Sequence, residues 1–124
     1  MGIVKDVLYT VANKNFLPRF KNQTIFPYYH LVRDHQVAHI ENLYEFKNCT
    51  QFLDDLDILT RNFKAISPKD ILDDNYKNNG FLLSFDDGLQ EIYTVIYPLL
   101  KKKNINAIFF INPNFIDNNE GLYK

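Results

Sequence analysis

Residues Phe81–Gly88, FLLSFDDG, constrain the fold of this chain more than any other stretch. A mostly apolar run leads without a break into two carboxylates, Asp86 and Asp87, and Gly88 closes the segment. Such a run reads as a strand buried on both faces. Behind it, LQEIYTVIYPLLKKK has helical character, and NAIFFI is a second buried-strand signal. Strand, acidic turn, helix, strand is a βαβ unit, and sites in such units open at the carboxyl ends of the strands.

Adjacent residues of a strand point to opposite faces, so two neighbouring aspartates cannot serve one site from inside a regular strand. They can if the chain turns there, and Asp-Gly is a turn signal because glycine tolerates positive φ. The turn then aims one carboxylate at a metal and the other at water on that metal. In the alternative, one aspartate caps the following helix and the other is solvated.

The rest of the chain supplies three more helices and two more strands. Val4, Leu8 and Val11 predict an amphipathic helix over roughly Ile3–Asn13, followed by a polar connection to Asn22. Thr24–His30 reads as the first strand, with Pro27 at an edge, bulge or end because it cannot donate to a ladder. Leu31–Lys47 shows no steady period and reads as a long loop of the kind that covers or lines a site. Thr50 is the expected N-cap of a helix over Gln51–Asn62, whose Phe52, Leu56, Leu59 and Phe63 face inward. Phe63–Ile66 is a short strand candidate. Ser67-Pro68-Lys69-Asp70 then has the cap, first-turn proline and third-position acid of a helix start. Leu89–Lys103 is the strongest helix, with Pro98 expected to kink it or to end its regular hydrogen bonding one turn earlier, Lys101–Lys103 suiting the carboxyl end of its dipole and Asn104 as its stop. Ala107–Ile111 is the last strand. Strands alternating with helices predict α/β architecture with parallel strands. The expected organisation is an N-terminal helix and connection over 1–22, then one domain over 23–124. That length holds about half of a closed (β/α) barrel.

Composition excludes several classes. Fourteen basic and fifteen acidic residues give a formal charge of -1, which offers no attraction for nucleic acid or an anionic membrane. One cysteine, Cys49, excludes an internal disulfide and cysteine-rich zinc modules. No apolar run approaches the roughly 20 residues that span a bilayer. The start has no signal-peptide core, so a cytoplasmic location is the expectation.

In this order and spacing, the motifs resemble the polysaccharide deacetylase family, carbohydrate esterase family 4. Its Thr/Ser-Phe-Asp-Asp-Gly signature at a strand end is matched by Ser84–Gly88. Downstream, Tyr93, Pro98-Leu99-Leu100 and Phe109-Phe110 fit the family's pattern. Upstream, Tyr29-His30, Phe52 and Ser67–Ile71 fit a subset of its members. The likeness runs from about Ile25 to Asp117. It implies a partial, distorted (β/α) barrel and the metal-dependent hydrolysis of N- or O-acetyl groups on a sugar or polysaccharide, the metal being a divalent ion, commonly zinc. By position, it implies that Asp86 is the general base and Asp87 the carboxylate metal ligand. His30, at a strand end beside the central strand, is the candidate for a place in the same cleft.

The departures are equally specific. Ile108 stands where many members have Thr. The family's His-Ser/Thr-x-x-His metal motif follows this region, and no histidine follows Asp87 here. One carboxylate does not make a catalytic zinc site, which takes three protein ligands. His35 and His39, in HQVAH, have the spacing of the missing pair, but they precede the acidic motif and carry Gln36 where Ser or Thr is expected. The expectation is therefore the N-terminal part of a deacetylase, inactive as a fragment. The alternative is a degenerate barrel half that binds a partner or sugar without catalysis, as an oligomer covering its own sheet edges. A Mg²⁺ phosphohydrolase built on the aspartates is a third reading, without a Gly-rich phosphate loop to support it.

Overall fold

The computed structural model describes residue 20 and residues 22–35, 46–76 and 78–113. The expected helix over Ile3–Asn13, most of the connection after it, His39 and the tail beyond 113 lie outside these residues. The described strands are short: β1 Tyr28–Tyr29, β2 Lys64–Ala65, β3 Gly80–Phe81, β4 Leu83–Phe85 and β5 Ala107–Phe109. Every strand pairing is parallel, in the order β1-β4-β5 for one sheet and β2-β3 for the other. Parallel strands with intervening helices match the α/β expectation.

The run expected as one strand from Phe81 starts at Gly80 and is two strands, because its partner on one edge changes part-way. On one edge it follows the first strand throughout. Leu82, Ser84 and Asp86 N–H groups donate to the carbonyls of Ile25, Pro27 and Tyr29 at 3.2, 3.0 and 3.1 Å. On the other edge, the carbonyls of Asn79 and Phe81 accept from Lys64 and Ile66, whereas Phe85 accepts from Phe110 at 2.8 Å. Paired on both edges and covered by helices, Phe81, Leu83 and Phe85 are fully buried, which is why the run is apolar without alternation. Pro27 is tolerated because the ladder uses its carbonyl and asks no N–H of it.

Helix α1 spans Cys49–Asn62 and lays Phe52, Leu56 and Leu59 against the sheet. Each such buried side chain stabilises the fold by about 1.5–3 kcal/mol. The N-cap is Asn48, not Thr50. Asn48 Oδ1 accepts from Gln51 N–H at 2.8 Å and Gln51 Oε1 accepts from Asn48 N–H at 3.0 Å, a reciprocal pair that starts the helix ahead of Thr50. Helix α2, Pro68–Leu72, starts as expected, with Ser67 and Asp70 satisfying each other's backbone.

The segment behind the aspartates begins as a π-helix, Ile92–Ile96, and continues as helix α3, Tyr97–Lys103. Proline at 98 explains the wide turn. A regular α-helix would put its ring against the Thr94 carbonyl and leave that carbonyl without a donor. The wider turn moves the ladder by one residue, and Tyr97 N–H bonds the Ile92 carbonyl. Asn104 ends α3 in the left-handed conformation, φ 54°, as a C-terminal stop does. Among the described residues, no helix is long and apolar enough to cross a membrane.

Candidate active site at the carboxyl ends of the strands

The aspartates lie where the central strand stops. Asp86 still belongs to the ladder through its N–H, so its side chain is placed at the mouth of the sheet, at the end of β4. Asp87 and Gly88 then both take positive φ, 73° and 64°. Two left-handed residues in a row reverse the chain sharply, and Asp is among the few residues with side chains that visit this region readily. The reversal brings the second carboxylate round to the side of the first. Both line one open cleft of about 430 Å³ together with His30.

His30 arrives by register. Tyr29 is the Cα partner of Phe85, so His30 stands beside Asp86 one step beyond the last pair. Its Nε2 is 3.8 Å from Asp86 Oδ2. This is ion-pair distance for an imidazolium, and too long for a direct hydrogen bond. Both side chains are about a third exposed, so solvent reaches and weakens the pair. Tyr28, two residues earlier on the same strand, meets the imidazole edge-on with centroids 5.7 Å apart.

The floor beneath the site is aromatic. Tyr29 and Phe85 stack at 5.7 Å and Phe85 and Phe109 at 5.4 Å, a ladder of rings across β1, β4 and β5. Tyr29 is anchored from α1: its hydroxyl donates to Asp55 Oδ2 at 2.9 Å, and Lys47 Nζ pairs with the same oxygen. Asp55 is the buried charged residue of the described core, held by these two donors. A second brace joins the loop after His30 to the start of the helix behind the aspartates. Arg33, three residues after His30, meets Glu91, four after Asp87, at 2.7 Å.

The other side of the cleft is formed by Phe110, Ile111, Asn112 and Pro113, just beyond β5. Nothing in the residue order alone marks these residues as part of the site. The Phe-Phe pair was legible as a strand end, but only the parallel register sets Phe110 beside Asp86. His35 does not line this cleft, and its partner in the HQVAH spacing is outside the described residues. Among the described residues, no three His, Cys, Asp or Glu side chains converge as a metal site.

The family model for polysaccharide deacetylase matches residues 73–124, a span that includes both aspartates. The polysaccharide deacetylase resemblance holds. Solved deacetylase structures share the fold. A de-N-acetylase from Aggregatibacter actinomycetemcomitans is 25% identical with a TM-score of 0.66, covering 82% of this chain and 42% of its own. The Streptococcus pyogenes deacetylase PplD, in complex with acetate, is 21% identical with a TM-score of 0.64, covering 81% of this chain and 48% of its own. The deacetylase domain of BpsB from Bordetella bronchiseptica is 23% identical with a TM-score of 0.55, covering 83% and 41%. The polysaccharide deacetylase-like chain thus spans less than half the length of each of these proteins. No curated protein matches the sequence.

Proposed function

We propose that this chain supplies one part of the active site of a metal-dependent hydrolase that removes acetyl groups from an N-acetylated sugar or polysaccharide, with Asp86 as general base. The observation that carries the reading is the convergence of Asp86, Asp87 and His30 on one cleft at the carboxyl ends of parallel strands.

Asp87 is the carboxylate assigned to the metal, zinc or another divalent ion. Alone it does not fit a catalytic metal, which takes three protein ligands. The other ligands are not among the described residues. What the described side chains do by themselves is proton chemistry. Asp86 takes a proton from water as the water oxygen attacks the acetyl carbonyl carbon. When the tetrahedral intermediate collapses, the C–N bond breaks and the same carboxyl returns that proton to the departing amine. The products are acetate and a free amino sugar. His30, beside Asp86 at the end of β1, holds a sugar hydroxyl or the reacting water.

The coding sequence that follows codon 124 tests this directly. A His-Ser/Thr-x-x-His motif is expected there, and the protein expressed with it should release acetate from N-acetylglucosamine oligomers. Asp86→Asn should lower that rate by about 10²-fold or more while metal stays bound, and Asp87→Ala should lose the metal. Absence of the motif from every reading frame, or full activity in Asp86→Asn, sinks the proposal. The incomplete ligand set supports a second reading, a sugar-binding or interaction module without catalysis. It predicts saturable sugar binding and no acetate from the same extended protein.

A further inference from the structure

We propose that Phe110 is the sugar-facing platform of this cleft, its ring taking the apolar C–H face of the pyranose that bears the acetyl group. The inference rests on the deacetylase reading of the same site. Register carries it. Tyr29, Phe85 and Phe109 are Cα partners across the three strands. The next residue on each strand is His30, Asp86 and Phe110. The ladder continues into that row, since Asp86 N–H bonds the Tyr29 carbonyl at 3.1 Å and Phe110 N–H bonds the Phe85 carbonyl at 2.8 Å. The three side chains therefore leave the sheet mouth side by side, at the spacing of about 4.8 Å that separates strands. All three line the cleft, with Asp86 between an imidazole and a phenyl ring.

Two neighbours explain why Phe110 is the ring left for a ligand. Phe109, although exposed at one side, already has a partner: it stacks on Phe85 at 5.4 Å. Ile111 packs on the turn: its Cγ2 lies 3.1 Å from where a Cβ on Gly88 would be. Phe110 is 55% exposed. A large ring in water, one place along from a carboxylate, has the chemistry of a carbohydrate subsite rather than of a core. A pyranose has an apolar face of C–H groups and a polar rim, and clefts bind such bodies with an apolar wall and a few placed polar groups. With the C–H face on Phe110, the ring's substituents reach the Asp86 side.

The test is a titration of the chain, labelled with ¹³C at phenylalanine and histidine, with the trimer of N-acetylglucosamine, followed by NMR. The Phe110 ring signals should move saturably, together with those of His30. Phe110→Ala should weaken binding about two- to tenfold, the range expected for loss of one ring contact, and Phe110→Tyr should restore it. Tyr93→Ala, which removes an exposed ring that does not line the cleft, should leave binding unchanged. If His30 signals move while the Phe110 ring stays still, the platform is refuted and the sugar reading survives. If neither moves at saturating sugar, both fall. Equal loss in Phe110→Ala and Phe110→Tyr also refutes the platform.

Discussion

At the scale of single residues, the site depends on two backbone conformations that most side chains avoid. Gly88 has φ 64° and Ile111 against it, so an added methyl meets both a torsional and a steric obstacle. Gly88→Ala should destabilise the fold by about 1–2 kcal/mol, read as a lowered denaturant midpoint. An unchanged midpoint would mean that the turn is not built as described. Tyr29 makes a prediction about pH. Burial first, then the negative charge of Asp55 and the hydrogen bond to it, push the phenol well above its ordinary 10.0. The folded state thus holds the phenolic proton more tightly than the unfolded chain. That contribution is complete below about pH 10 and is lost as pH climbs above it towards the folded value. Asp55 and Lys47 are the charged groups gathered at this hydroxyl. Denaturant midpoints should therefore fall on the alkaline side in the native chain. They should fall less in Tyr29→Phe, which has no proton to lose.

Elements show how local chemistry sets boundaries. Helix α1 starts where Asn48 and Gln51 satisfy each other's backbone, not at the first Thr before the apolar pattern. Asn48→Ala should cost about 1 kcal/mol of stability by thermal or denaturant unfolding, whereas Thr50→Ala, inside the helix, should cost little. The reverse order would restore Thr50 as the cap. The helix behind the aspartates shows the opposite case. Pro98 imposes a constraint four residues upstream, and the helix meets it with a wide turn instead of a break. Glu91 leads into that wide turn and reaches Arg33, so the start of the helix is tied to the loop after His30.

At the scale of the molecule, the described three-stranded sheet has β1 and β5 as its outer strands, and the β5 edge is the apolar one. Among the described residues, β5 pairs only with β4, and Phe109, Phe110 and Ile111 beside that edge are all exposed. Unpaired edges next to apolar side chains recruit other strands. The chain as it stands should therefore self-associate, with a sedimentation coefficient that rises with protein concentration. A single monomeric species across the whole range would show the edge to be covered.

Several parts of this protein could be read from residue order alone. The doubly buried run at Phe81–Phe85, the helical spacing of Phe52, Leu56 and Leu59, the Ser67 start and the Asn104 stop are local patterns. Local patterns survive because propensity, capping and periodicity act over only a few residues. The adjacency of Asp86 and Asp87 to a strand end was legible for the same reason. What lay beyond reach is whatever passes between strands: the change of partner at Leu82, the anchoring of Tyr29 by Asp55, and the row His30, Asp86, Phe110. Parallel register is set by long-range packing, here by the ring ladder and by α1 lying across it, and a one-residue slip would send every side chain in that row to the opposite face. Sequence therefore determined which residues stand at the ends of the strands, and tertiary structure decided which of them face one another across the cleft.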